Sequence, residues 1–251
     1  VDAEPTAERR RNGIQTAIDM LVAPRQACAQ LRETPTWGWA FLIAVVFGML
    51  ASLALVPALH HAIEASLPAQ IAATPSIAKL PPAEQQKAVA RIVAVQSIAL
   101  NVTWLASLVI VPIIALVQTL VMLVASRLGG GDGTFRRLWA LALNVQVAGS
   151  IGGLILAAIV LLRGPASFTD PAQIQAVLPN LGTIVPGAPR LIGAFLGALN
   201  VAAIWQAALL GTGMIVTARA ARPAACSAAA VMLLSLGVFA AIGAAARPHA
   251  G

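Results

Sequence analysis

Hydrophobic and polar positions divide this chain into five long apolar runs, 37–59, 98–126, 138–162, 191–218 and 224–246, none of which contains Asp, Glu, Lys or Arg. A helix rising about 1.5 Å per residue needs about 20 apolar residues to cross a hydrocarbon core about 30 Å thick, and every run meets that length. The pattern predicts an all-α, polytopic membrane protein with five transmembrane helices in a membrane domain over 37–246. Residues 1–36 precede that domain as a surface segment, and 247–251 follow it as a short tail. Within the leading segment Ile14, Ala17, Ile18, Leu21 and Val22 recur at helical spacing behind Arg9, Arg10 and Arg11, the pattern of an amphipathic helix lying on a membrane. Pro24 suits the first turn of a second short helix with Ala27, Cys28 and Leu31 on one face, and Pro35 ends it before Trp37.

Between the runs, proline marks the breaks. The connection near 60–97 contains Pro68, Pro75, Pro81 and Pro82, after which Glu84 to Gln96 reads as helix with Val89, Ile92, Val93 and Gln96 on one face. The second helix is therefore expected to start near Pro82 and to project beyond the membrane. The connection near 163–190 is also proline-rich, and Asp170 followed by Pro171 reads as an N-cap and first-turn pair for a short helix through Leu178. Pro-Ala-Gln-Ile occurs at both 68–71 and 171–174, a weak hint of internal duplication. Pro112 removes a backbone hydrogen bond to the Leu108 carbonyl, so the second span should bend there. Trp37 and Trp39 sit where an indole anchors at the membrane interface.

Composition agrees with a single membrane domain: 251 residues, 59% apolar, and a mean hydropathy of +0.85. No length remains for a separate catalytic domain. A net charge of +7 would suggest nucleic acid in a soluble protein, but here the basic residues flank the spans, where lipid headgroups lie. Membrane lipids, not nucleic acid, are the expected partners. With the N-terminus inside, ten of the 16 Lys and Arg residues fall on the inner side and six on the outer. The short connections near 127–137 and 217–223 carry the clearest bias, so the N-terminus is expected in the cytoplasm and the C-terminus outside it. The first apolar run exceeds the roughly 7–15 residues of a signal-peptide core, so it is read as an anchor. Cys28 and Cys226 then lie on the reducing side and are read as small apolar residues.

The search for chemistry finds little. Pumps, proton-coupled transporters and intramembrane hydrolases place ionisable groups inside the bundle, and these spans hold none, so no catalytic residue, metal ligand set or cofactor site is assigned. Gly129–Gly130–Gly131–Asp132–Gly133–Thr134 lacks the Gly-Lys-Ser/Thr ending of a phosphate loop and follows a membrane helix, so it reads as a turn. Its glycines would let Arg127, Arg136 and Arg137 gather at headgroups or an acidic partner. Arg9, Arg10, Arg11 and Arg25 complete the set of candidate lipid or partner contacts. His60 and Glu64 have metal-compatible spacing, but two ligands are too few. Polar residues within the spans include Gln118, Asn144, Gln146, Asn200 and Gln206, and the default reading is interhelical glue. Gly149, Gly153 and Ala157 form one ridge of small residues and Gly193 with Gly197 another, both candidates for close helix packing.

Three stretches together resemble the bacterial branch of the Yip1 domain family. They are Ala23-Pro24-Arg25-Gln26-Ala27-Cys28 through Pro35-Thr36-Trp37, the turn Gly129 to Arg137, and Ile204-Trp205-Gln206 with Leu209, Leu210 and Gly211. Family members often carry Phe where Cys28 stands, and the Asp-Leu-Tyr-Gly-Pro motif of the eukaryotic branch is missing, so vesicle-traffic function is not carried over. The resemblance implies a five-helix protein of the bacterial inner membrane without catalytic residues. Some bacterial relatives look like accessory subunits of ABC-type export systems. The expected function is thus a non-enzymatic scaffold or accessory subunit that binds other membrane subunits, with a carrier or channel for a small or lipidic solute as the alternative.

Overall fold

The computed structural model describes residues 12–72 and 74–245; the predicted contacts Arg9, Arg10 and Arg11 and the tail 247–251 lie outside them. Helix α1 (Gly13–Val22) starts at Asn12, whose side chain caps the first turn while Gln15 reaches back to the Asn12 amide, satisfying two orphan donors. Helix α2 (Pro24–Glu33) has proline at its first position. Next come α3 (Gly38–Ala72), the single turn α4 (Pro75–Ala78), α5 (Pro82–Thr103) and α6 (Ser107–Leu128). The second half of the chain forms α7 (Phe135–Arg163), α8 (Pro171–Gln175), α9 (Arg190–Ala198), α10 (Val201–Thr217) and α11 (Arg222–Ala245). Among the described residues the only β-type pairing is an isolated bridge between Asn180 and Asn200.

Among the described residues four helices are long and apolar enough to cross a membrane: α3, the continuous stretch Pro82–Leu128, α7 and α11. Their outer surfaces fit that setting. Large apolar side chains such as Leu53, Val109, Ile113, Val117, Val124, Val231 and Phe239 stand exposed along the bundle, where water would penalise them and lipid would not. The centre is α7, which packs on α3, α6 and α10 and buries Leu138, Leu141, Leu143, Asn144 and Val145 completely. Met20, Leu31, Met122, Leu210 and Met214 join this core from four other helices. A second, smaller core at the opposite end gathers Ala62, Val160, Phe168 and Ile174.

The run 191–218 differs from expectation. It is two helices, because the chain leaves helical geometry at Leu199 and Asn200. There the Leu199 carbonyl accepts from the Leu181 amide at 3.2 Å and the Val201 amide donates to the Pro179 carbonyl at 3.1 Å. The Asn200 side chain then caps α10 through the Ala203 amide at 3.0 Å, so several backbone groups freed by the break find partners. The first span also departs from its predicted end: α3 continues through Pro57 and Pro68 to Ala72. The first Pro-Ala-Gln-Ile therefore closes a long helix, whereas the second starts α8. The second long helix does begin at Pro82 and runs 47 residues to Leu128, about 70 Å at helical rise. It passes through Pro112 without a break; its irregular turn is the 3-10 segment Trp104–Ala106. Asp170 caps α8 as predicted, but the helix ends at Gln175 instead of Leu178.

Candidate functional site

The described candidate lipid and partner contacts, Arg25, Arg127, Arg136 and Arg137, lie at the end of the bundle that carries α1 and α2. The predicted face of α2, Ala27, Cys28 and Leu31, is fully buried, so this helix is packed onto the protein, chiefly α10 and α1. Helix α1 divides its apolar residues between two environments. Ala17 and Met20 face the core, while Ile18 and Val22 stand 53% and 74% exposed on the far side. An exposed apolar edge on a docked helix leaves surface that can enter the headgroup boundary.

Three connections are fastened together at this end. The Thr217 hydroxyl donates to the Cys28 carbonyl at 2.9 Å, joining α10 to α2. Arg32 at the end of α2 pairs with Asp132 in the glycine turn at 2.9 Å. The Asp132 amide donates to the Ala218 carbonyl at 2.8 Å, and the Ala221 amide to the Gly129 carbonyl at 3.2 Å, which locks the glycine turn against the α10–α11 turn. Gly129 and Gly131 are therefore required by close approach rather than by mobility, and Gly130 by its left-handed φ of +67°. A Cβ on Gly131 would stand 2.6 Å from the Ala218 carbonyl oxygen, and one on Gly129 would stand 2.5 Å from the Ala224 Cβ.

Around this fixed joint the guanidinium groups face outward. Arg25, Arg127, Arg136, Arg219 and Arg222 are exposed and Arg137 is half-buried. Arg219 also takes a left-handed φ of +48°, a conformation costing an L-residue about 1–2 kcal/mol that glycine adopts freely. An aromatic group borders the arginines: Trp139 stacks on Phe135 with centroids 6.0 Å apart and meets Trp37 edge-on at 6.5 Å. Sequence reasoning missed Arg32, Asp132 and Arg219 as parts of the joint. The one available signal was Asp132, a lone acid in an otherwise basic connection.

Cys28 is sealed in this joint. Burial pushes its thiol up to about 12, opposed by the neighbouring Thr217 side chain, so it stays protonated at neutral pH and is a poor nucleophile. Cys226 is exposed. Maleimide labelling of the folded protein should therefore modify Cys226 and leave Cys28 at least about a hundredfold slower until the chain is denatured; equal rates would show that the joint opens.

The predicted packing ridges resolve into different neighbours. A Cβ at Gly149 would fall on the Gln206 side chain, and one at Gly153 would lie 3.5 Å from Ala51 of α3. The least yielding position is Gly152, where a Cβ would stand 2.6 Å from the Ala202 Cβ of α10, an atom fixed to the backbone. Ala157 is buried. Gly193 and Gly197 receive no helix; the turn carrying Gly182 lies against them, its would-be Cβ 3.2 Å from the Gly197 nitrogen. Of the polar residues, Gln146 donates to Gln118 across α7 and α6 at 3.0 Å, while Thr119 and Ser150 bond within their own helices. Asn144 donates to the Thr36 and Ala140 carbonyls. At the opposite end His60 pairs with Glu64 at 3.3 Å, and His61 meets the Phe168 carbonyl through Nδ1 at 2.9 Å. Among the described residues no three His, Cys, Asp or Glu side chains gather as a metal site.

A family model described as the Yip1 domain matches residues 18–242, from within α1 to the last turn of α11. No curated protein and no solved structure matches the chain.

Proposed function

Because this integral membrane protein belongs to the Yip1 domain family, we propose that it is a non-enzymatic scaffold or accessory subunit of a larger complex in a bacterial inner membrane, an ABC-type exporter being one such complex. The observation that carries this reading is the fastened joint with its outward arginines. It is a rigid, cationic surface suited to anionic headgroups and to an acidic face on a partner subunit. Arg219 is the most telling member. Its backbone conformation favours glycine, so an arginine there points to a role for the side chain.

In this reading the arginine-rich end is cytoplasmic and the chain crosses five times, with α9 and α10 together making the fourth crossing. Antiparallel pairing with α11 supports that count: Gly211 approaches Ala225 and Ala229, Phe195 lies against Gly237, and Arg190 donates to the Ala244 carbonyl. The broken helix thus runs the length of α11. In a Cys226→Ser background, Ala221→Cys should react with a membrane-impermeant maleimide only after the membrane is opened, and Ala69→Cys and Gln175→Cys in intact spheroplasts. The reverse pattern would invert the protein.

Mild-detergent purification should recover a larger membrane partner stoichiometrically. Combining Arg127→Glu with Arg136→Glu should cut that recovery severalfold. Arg219→Gly should do so while leaving thermal stability equal or higher by up to about 1 kcal/mol. Full recovery with both variants would remove the arginines from the interface, and recovery of the chain alone from native membranes would favour a carrier.

A further inference from the structure

The break between α9 and α10 borders a cavity of about 640 Å³, within the range of about 300–1,000 Å³ that small-molecule sites occupy. It lies at the end of the bundle away from the glycine-turn joint, between α8 and the turn after it on one side and α9 with the end of α11 on the other. Ten of its fifteen lining residues are alanine or glycine. These give smooth apolar walls without side-chain hydrogen-bonding groups, so a polar solute would find few partners along them.

Polar groups are confined to the loop side and the mouth: Gln175, Asn180, Thr183, Asn200 and Arg190. That rim is already held in place. Asn180 donates to the Leu178 carbonyl at 2.9 Å, Thr183 to the Asn180 carbonyl at 2.7 Å, and Arg190 to the Ala244 carbonyl. Among the described residues no carboxylate lines the space. Beside it Leu191, Ile192, Phe239 and Ile242 are exposed apolar residues, which sets the cavity at the edge of the hydrocarbon region. The open face of Gly193 and Gly197 supplies one wall, and the missing Cβ atoms there create the width.

We propose that this cavity holds a single acyl chain, from a free fatty acid or a membrane phospholipid, with its headgroup at the polar rim. A chain leaving the bilayer gains little from the hydrophobic effect, because its surroundings were already apolar. Occupancy therefore rests on the fit to the walls and on the rim, and it should saturate and be competed, unlike general lipid contact. The inference is independent of the scaffold reading, since it concerns the opposite end of the molecule and requires no partner.

The test uses the full chain reconstituted in vesicles of phosphatidylethanolamine and phosphatidylglycerol, with two photoreactive probes carrying the same diazirine chain: a free palmitate analogue and a phosphatidylglycerol. Mass spectrometry should place crosslinks from at least one probe on residues 172–183 and 190–200, competed by unlabelled lipid; which probe labels identifies the source. Gly197→Leu and Gly243→Leu each add a side chain to the cavity lining, and a Cβ at either position meets no described atom within 4 Å; an unchanged elution profile checks that each variant folds. Each should reduce that labelling at least tenfold, while Gly38→Leu, equally uncrowded but remote from the cavity, should not. Labelling confined to other helices with both probes, or labelling of these segments unchanged in both filled variants, would overturn the proposal.

Discussion

Gly152→Ala is expected to destabilise the bundle by about 1–3 kcal/mol, whereas Gly153→Ala, one residue away, should leave stability within about 0.5 kcal/mol of the parent. The difference follows from what each new methyl group meets. At Gly152 it would stand 2.6 Å from the Ala202 Cβ, an atom fixed to the backbone of α10 that cannot rotate aside. At Gly153 it would reach Ala51 at 3.5 Å, an ordinary contact. Helix association in lipid depends on close packing because apolar side chains gain little by leaving an apolar solvent. Leucine in place of Gly152 should therefore drive α7 and α10 apart and give aggregated protein. Leucine in place of Gly153 should loosen only the α3 face. Melting temperature in mild detergent, with elution profiles for the leucine variants, reads both effects. Equal melting of the two alanine variants would show that α10 can shift to accommodate Gly152→Ala, and the packing argument would fail. Gln146→Ala serves as a reference of another kind: it leaves the buried Gln118 oxygen without its donor and should cost only about 0.6–2 kcal/mol.

The apolar runs were legible because each is a local property of the chain, and so were Pro82 and Asp170 as helix starts, where one or two residues set the geometry. The break at Asn200 was not. A polar residue inside an apolar run is normally absorbed by a partner helix, and nothing nearby marks this one as a cap. What makes the break stable is hydrogen bonding to Pro179 and Leu181, across a proline-rich connection whose path no periodicity reports. The same limit explains α3, which runs through Pro57 and Pro68 while contacting α5, α7 and α8. A proline discourages helix continuation locally, and tertiary packing decides whether the helix resumes. In the candidate site, charge and glycine content drew attention to the connection that the structure fastens to α2 and to the α10–α11 turn. The reason for the glycines was inverted, because close approach and flexibility leave the same letters in a sequence.

Gly131→Ala tests that inversion and carries the second large effect. Were the turn flexible, one added methyl group would cost little and could stabilise the chain by restricting its unfolded state. In the structure the methyl would lie 2.6 Å from both the Ala218 carbonyl oxygen and the Ser126 hydroxyl oxygen. The hydroxyl can rotate; the carbonyl cannot move without breaking the bond it accepts from the Asp132 amide. The α10–α11 turn should separate from the glycine turn. Asp132 then loses its position opposite Arg32, and the arginine surface loses the joint that orients it. The contact involves only the last residues of two apolar runs, Ser126 and Ala218, so membrane insertion should be retained while Cys28, sealed beneath the joint, becomes reactive toward maleimide at least about tenfold faster. Recovery of the larger partner should fall together with that exposure. An unchanged Cys28 rate in a well-inserted Gly131→Ala protein would mean that the two turns hold independently, and the rigid platform would then be the wrong description of this end of the molecule.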